Sequence, residues 1–137
     1  MPTILVVEAD HLLRSAIAAY LRKQRHVVFE ATGVMAALEV LGRQFVQAAV
    51  IDTHPWQSVE LLKQIRGHPT LAGTPVIAIV GHDNIAEVLE YLEPGEYLRI
   101  PFDMPFLDWL LQKLLGEQAQ PETDPPAVDL SAFKPKA

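Results

Sequence analysis

Residues 3–10 have the sequence TILVVEAD, in which an apolar run at residues 3–7 is followed by two acidic residues, Glu8 and Asp10. The run is rich in β-branched residues and does not alternate with polar ones, which is typical of a strand covered on both faces. Residues 75–80, PVIAIV, form the most apolar run of the chain and predict a central strand. These two runs indicate a buried parallel sheet rather than a sheet with one face in water.

The rest of the first 116 residues alternates between strand-like runs and apolar residues at helical spacing. The predicted strands are Thr3–Val7, His26–Glu30, Ala48–Ile51, Pro75–Val80 and Glu96–Arg99. The predicted helices are Asp10–Arg25, Gly33–Gly42, Gln57–Arg66, Asp83–Leu92 and Asp103–Leu115. Five such alternations imply right-handed βαβ units, and therefore an α/β fold with a doubly wound, five-stranded parallel sheet between two helical layers.

The composition excludes several classes of protein. The chain has 137 residues, of which 50% are hydrophobic and 20% charged, so it can bury a core as one domain. The net charge of −6 argues against a nucleic-acid surface, which needs clustered Lys and Arg. No apolar run reaches the ~18 residues of a membrane span, and the start lacks the basic region of a signal peptide. We therefore expect a cytoplasmic protein with neither nucleic-acid nor membrane partners.

The composition changes near the end of the predicted fifth helix. Residues 117–137 are rich in proline and poor in large apolar residues, so this segment has little to bury in return for becoming ordered. We expect a domain at residues 1–116 and a flexible tail or linker at residues 117–137.

Acidic residues follow two of the predicted strands. Glu8 and Asp10 follow the first strand and Asp52 follows the third. In an open parallel sheet, sites lie beyond the carboxyl ends of the strands, and close carboxylates repel each other unless a cation or a proton intervenes. Mg²⁺ with oxygen ligands is one solution. The alternatives are that Glu8 and Asp10 act only as acids near a helix N-terminus, and that Asp52 is a cap or a solvated loop acid.

The ordered set VVEAD, VIDTHPW, PVIAIVG and EYLRIPF resembles the receiver domain of bacterial two-component response regulators, over residues 3 to about 115. The resemblance implies the flavodoxin-like strand order 2-1-3-4-5. It also implies an aspartate after the third strand that accepts a phosphoryl group, and two acids after the first strand that hold Mg²⁺. A hydroxyl residue after the fourth strand and a lysine after the fifth bind the phosphoryl group, and an aromatic residue in the fifth strand changes rotamer.

Only part of this set is present in the chain. Asp52 falls on the phosphoacceptor position, Tyr97 on the switch aromatic and Glu8 on the first acid. Three positions are substituted: Ala9 stands at the second acid, with Asp10 one residue later, Val80 at the hydroxyl and Ile100 at the lysine. Any metal ligands would be Glu8, Asp10, Asp52 and the backbone of His54, and binding would be weak; no other cofactor is expected.

The resemblance therefore implies an atypical receiver, or pseudo-receiver, that acts in signal transduction through protein–protein contacts without phosphorylation and is not an enzyme. The alternative is a working receiver that is phosphorylated on Asp52 by a histidine kinase or a small phosphodonor. The expected partners are a histidine kinase or an output protein, together with a weak homodimer through helix 4, strand 5 and helix 5. A nucleotide-binding site is disfavoured because EADHLLR, residues 8–14, offers no glycine- or hydroxyl-rich loop. An aspartyl-phosphate hydrolase is disfavoured because Asp52-Thr53-His54 lacks a second acid.

Overall fold

The chain forms a five-stranded parallel sheet, as the sequence predicts, and its strands lie in the order 2-1-3-4-5 that the resemblance implies. A computed structural model describes residues 1–54 and 56–116, so the predicted tail at residues 117–137 lies outside the described residues. The strands are β1 (Thr3–Val7), β2 (Val27–Ala31), β3 (Ala48–Asp52), β4 (Val76–Val80) and β5 (Gly95–Arg99). The helices are α1 (His11–Lys23), α2 (Val34–Arg43), α3 (Trp56–Gly67), α4 (Ile85–Leu89) and α5 (Met104–Leu115).

Alternation along the central strands divides the core into two layers. In β1, Leu5 and Val7 pack with residues of α2, α3 and α4 on one face of the sheet. Ile4 and Val6 pack with α1 and α5 on the other face. Both faces are therefore covered, which explains the unbroken apolar runs of β1 and β4. Within the described residues, no helix is long and apolar enough to cross a membrane.

Helix α4 is shorter than the sequence predicts. Its apolar spacing predicts a helix over Asp83–Leu92, whereas the helix spans only Ile85–Leu89. Before the helix, the side chain of Asn84 hydrogen bonds to Gly81 and Thr53, so it holds a turn rather than extending the helix. After the helix, the carbonyl groups of Tyr91 and Leu92 accept hydrogen bonds from Arg66 of α3 instead of continuing a helical ladder.

Gly95 is required where the chain enters β5. Its φ angle is 157°, a conformation that L side chains rarely adopt. A Cβ atom at this position would also collide with the carbonyl oxygen of Val76. The glycine therefore allows β5 to approach β4 closely and to place Arg99 beside Val80 in register.

Candidate functional site

The two acids expected to define the site lie side by side at the carboxyl edge of the sheet. Strands β1 and β3 are parallel neighbours in which Val7 is paired with Ile51. The next residues along the two strands are Glu8 and Asp52, so the register alone brings these carboxylates together. This is the edge at which open parallel sheets hold their sites.

Glu8 is buried and incompletely hydrogen bonded. Its residue surface is 3% exposed. Its Oε2 accepts a hydrogen bond of 3.0 Å from the backbone N–H of Asp10, whereas Oε1 has no hydrogen-bond partner among the described residues. Burial raises the pKa of Glu8 from 4.5 to about 7; the Asp10 N–H opposes this rise, and a hydrogen bond from the protonated carboxyl to Asp52, together with the charges of Asp52 and Asp10, adds to it. Glu8 therefore holds a proton more tightly than an ordinary glutamate does.

Asp10 is the N-cap of α1, as the sequence predicts. Its carboxylate accepts a hydrogen bond of 3.3 Å from the backbone N–H of Leu12, and its backbone is extended. This interaction satisfies one of the free N–H groups in the first turn of the helix. The Asp10 side chain therefore has a structural partner outside the acidic pair.

The Asp52 carboxylate is contacted by His54, two positions later in the chain. Its Oδ1 accepts a hydrogen bond of 3.0 Å from the backbone N–H of His54 and lies 3.2 Å from Nδ1 of the same residue. A methyl group at position 81 would lie 2.9 Å from Nε2 of His54, so the imidazole packs directly against Gly81. The imidazole thus folds back over Asp52 and fills space between the ends of β3 and β4. The family resemblance implies a role only for the backbone of His54, as a metal ligand, and not for its imidazole.

The three substituted positions lie where the strand pattern places them. Ala9 is exposed beside Glu8, and Val80 is fully buried at the end of β4. Ile100 directly follows β5 and is 47% exposed. Among the described residues, no lysine or arginine forms an ion pair with Asp52. The side chains at the ends of β4 and β5 are therefore apolar at the two positions where the resemblance implies a hydroxyl residue and a lysine.

A partly buried polar network, which the sequence patterns do not predict, joins the loops that follow β3 and β4. The hydroxyl of Thr53 donates a hydrogen bond of 2.7 Å to the Ile79 carbonyl. The amide of Asn84 donates to the carbonyl and the hydroxyl of Thr53 at 2.9 and 3.0 Å, and its oxygen accepts from the Gly81 N–H at 3.0 Å. The only signal in the sequence is a hydroxyl residue directly after Asp52. The network fixes the two loops relative to each other.

The switch-aromatic position lies in the core. Tyr97 of β5 is 5% exposed and packs with residues of α3 and α4. The side chain is therefore enclosed and contributes almost nothing to the exposed surface formed by α4, β5 and α5. Arg99, two residues later, is exposed, and its Nη2 lies 3.0 Å from Nδ1 of His82.

The acidic residues do not form a ready-made Mg²⁺ site. Within the described part of the chain, no group of three or more Asp, Glu, His or Cys side chains could hold a metal ion together. Asp10 caps a helix, one oxygen of Glu8 is used by a backbone N–H, and one oxygen of Asp52 is used by His54. Mg²⁺ demands near-ideal octahedral oxygen geometry. The described residues therefore favour weak binding of that ion at most.

We therefore expect Mg²⁺ to bind in the millimolar range or more weakly. The single change Ala9→Asp should tighten binding by about tenfold or more, because it adds a carboxylate beside Glu8. Isothermal titration calorimetry of the two proteins measures both affinities. Saturation of the unchanged protein at micromolar Mg²⁺ would contradict the prediction.

The fold and the site together define a flavodoxin-like α/β domain with paired acids at the ends of β1 and β3. The sequence profile of the response regulator receiver domain matches residues 4–106. The chain therefore belongs to the response regulator receiver domain family, whose members are in general modules of two-component signalling rather than enzymes. None of the curated proteins matches the chain significantly.

Solved structures of receiver domains share the fold at low sequence identity. The receiver domain of a sensor histidine kinase from Pseudomonas aeruginosa, which has a magnesium ion coordinated in its active-site cleft, is 24% identical, with a TM-score of 0.74 over 84% of this chain and 98% of that chain. A sensor protein from a Polaromonas species is 21% identical, with a TM-score of 0.76 over 86% of this chain and 98% of that chain. A Francisella response regulator receiver domain is 23% identical, with a TM-score of 0.74 over 86% and 99%.

Proposed function

We propose that this chain is an atypical receiver that acts in signal transduction through protein–protein contacts and does not depend on phosphorylation of Asp52. The observation that carries the proposal is the set of groups around that carboxylate. That carboxylate accepts a hydrogen bond from the backbone N–H of His54 and lies 3.2 Å from its imidazole Nδ1, and among the described residues no lysine or arginine forms an ion pair with it. Val80 and Ile100 stand where the family has a hydroxyl and an ammonium group. We expect the domain to act in the cytoplasm as a non-enzymatic module.

The energies involved support this proposal. A hydrogen bond to a charged group contributes about 1.5–3 kcal/mol. Loss of the hydroxyl and the ammonium therefore removes roughly 3–6 kcal/mol of interaction with a phosphoryl group, if the two contributions add. A switch from mostly off to mostly on requires about 5.5 kcal/mol of differential binding. The missing contacts are as large as the whole switching energy.

A working phosphoacceptor is the second candidate function. The side chain of Asp52 is not sealed from solvent, with 13% of its surface exposed, and Gly81 keeps a small residue beside it. A histidine kinase or a small phosphodonor could therefore reach the carboxylate once the imidazole of His54 moved away. This reading requires the phosphoryl group to be stabilised without the usual hydroxyl and lysine.

Phosphorylation by acetyl phosphate separates the two functions. After incubation with acetyl phosphate and Mg²⁺, we expect the intact mass of the protein to show no added phosphoryl group. The triple variant Ala9→Asp, Val80→Thr, Ile100→Lys should gain one, because it restores a metal ligand, a hydroxyl and an ammonium group together. Addition of Asp52→Asn to the triple variant should abolish the gain. Stable phosphorylation of the unchanged protein at Asp52 would overturn the proposal.

We further propose that a signalling partner, or a second copy of the chain in a weak homodimer, binds the surface formed by α4, β5 and α5. This surface has exposed Arg99 on β5, Leu89 with 43% exposure on α4, and Lys113 of α5, which lies 3.5 Å from Glu96. Mixed charges of this kind favour a contact that weakens at high salt.

Charge reversal at Arg99 tests this surface. Arg99→Glu should weaken self-association or partner binding by about tenfold, since it replaces attraction by repulsion at the contact. Sedimentation velocity at low and high salt measures self-association, and the matched control is Arg43→Glu on α2, away from this surface. Equal association of the two variants and the unchanged protein would contradict the proposal.

A further inference from the structure

A cavity of about 320 Å³ opens next to the acidic pair, on the side of the sheet that α2 and α3 cover. Its lining combines the carboxylates of Glu8 and Asp52 with the apolar side chains of Val7, Val34 and Met35. Small-molecule sites in proteins are clefts of roughly 300–1,000 Å³ with mostly apolar walls and a few converging polar groups. The size and the lining both match this description.

An unpartnered oxygen points to a ligand in this cavity. Glu8 lines the cavity and is nine-tenths or more buried, yet its Oε1 has no hydrogen-bond partner among the described residues. A buried polar atom normally has a partner, because leaving it unpaired costs free energy. Asp52 also has capacity to accept, because both of its hydrogen bonds from His54 go to the same oxygen, Oδ1.

We propose that the cavity binds a small organic cation, a primary ammonium group on a short apolar body. Above about pH 7, where Glu8 is ionised, the polar groups of the lining select positive charge, because its described residues include two acids and no lysine or arginine. An ammonium group has three N–H donors that can reach acceptors in different directions, so it does not need the octahedral oxygen set of Mg²⁺.

The apolar side chains of the lining determine which size and shape of apolar ligand body fits the cavity. Val7 and Val34 offer apolar surface beside the carboxylates, and the side chain of Met35 is 81% exposed at the N-terminal turn of α2. Methionine adapts to ligands of different shape because its side chain is unbranched and polarisable. A body of the size of a benzyl group or a short alkyl chain suits a cavity of this volume.

The inference deepens the proposed function, because it names a ligand that could act at the acidic pocket in place of phosphorylation. It rests on the proposed function in one respect only, namely that the pocket holds neither a phosphoryl group nor a metal ion. Binding is measured directly on the unphosphorylated protein without Mg²⁺. A failure to bind an amine therefore leaves the phosphorylation result untouched, and the reverse also holds.

The test is a titration at about pH 8, where Glu8 is ionised, with benzylamine and with the neutral analogue benzyl alcohol, followed by amide chemical shifts and by calorimetry. We expect saturable binding of the amine, with shifts in residues 7–9 and 32–35, and binding of the alcohol that is weaker by about tenfold or more. Glu8→Gln should weaken amine binding by about tenfold or more, since it removes a charge-assisted hydrogen bond. Ala9→Leu should block the cavity, because Ala9 also lines it and is exposed.

The control variant is Glu39→Gln, which removes an exposed carboxylate on the same helix as Met35 and outside the cavity lining. It should bind the amine as the unchanged protein does. Equal affinity for amine and alcohol, an unaltered affinity in Glu8→Gln, or no saturable binding of the amine would each overturn the inference. The circular dichroism spectrum of each variant confirms that it is folded before the titration.

Discussion

Arg66→Met is expected to lower the free energy of unfolding by about 3–5 kcal/mol, because the guanidinium of Arg66 uses all five of its N–H donors on backbone carbonyls. These carbonyls belong to the loop before β4 and to the chain between α4 and β5. The hydrogen bonds run from Nε to Tyr91 at 2.8 Å, from Nη1 to Ala72 and Thr74 at 3.1 and 2.8 Å, and from Nη2 to Leu92 and Pro94 at 3.3 and 2.8 Å.

Methionine retains the apolar stem of the arginine but leaves these carbonyls without their donor. Arg66→Lys should recover less than half of the loss, since an ammonium group has three donors and lacks the planar fork of the guanidinium. Chemical denaturation followed by circular dichroism measures both changes. Arg43→Met is the matched control, because Arg43 is exposed and pairs only with Glu39 four residues away, so it should cost less than about 0.5 kcal/mol. Equal losses in the Arg66 and Arg43 variants would show that the carbonyl cluster does not depend on the guanidinium.

The interactions of Arg66 show which part of the fold the sequence could not predict. An arginine in the last turn of a helix is a common pattern, and here that turn is the end of α3. Its carbonyl partners in the segment after α4 lie 25 to 28 residues further along the chain. The spacing of apolar residues reflects only residues that are close in sequence. It therefore predicts that α4 continues to Leu92 and does not include the hydrogen bonds from Arg66. The strands were predicted closely because their unbroken apolar runs follow from burial on both faces.

The candidate site also combines features that the sequence predicts with features that it does not. The proximity of Glu8 to Asp52 could be predicted, since adjacent parallel strands end at one edge of the sheet. The helix cap formed by Asp10 could be predicted as well, because it is a local interaction. The position of the His54 imidazole over Asp52 and Gly81 could not, because it depends on a side-chain rotamer and on space left by a residue in another strand-end loop.

The buried carboxyl of Glu8 predicts a stability that falls as the pH rises. The pKa of Glu8 is about 7 in the folded protein and has an ordinary value of 4.5. Below pH 4.5 the group is protonated in both states and costs nothing. Between pH 4.5 and about 7 the unfolded chain releases the proton while the folded protein keeps it, so the free energy of unfolding declines. The full loss, reached above the folded pKa, is roughly 3 kcal/mol.

Glu8→Gln isolates this contribution, because glutamine keeps an oxygen for the Asp10 N–H and cannot ionise. At about pH 8 the variant should be more stable than the unchanged protein by roughly 2–3 kcal/mol, and at about pH 4 the two should be nearly equal. Denaturant unfolding across this pH range, with Glu39→Gln as the exposed control, gives the difference directly. A constant difference between Glu8→Gln and the unchanged protein at all pH values would mean that Glu8 ionises equally in the folded and unfolded states. The acidic pair would then be two ordinary carboxylates, open to solvent and to cations, rather than a buried pair in which one member holds a proton.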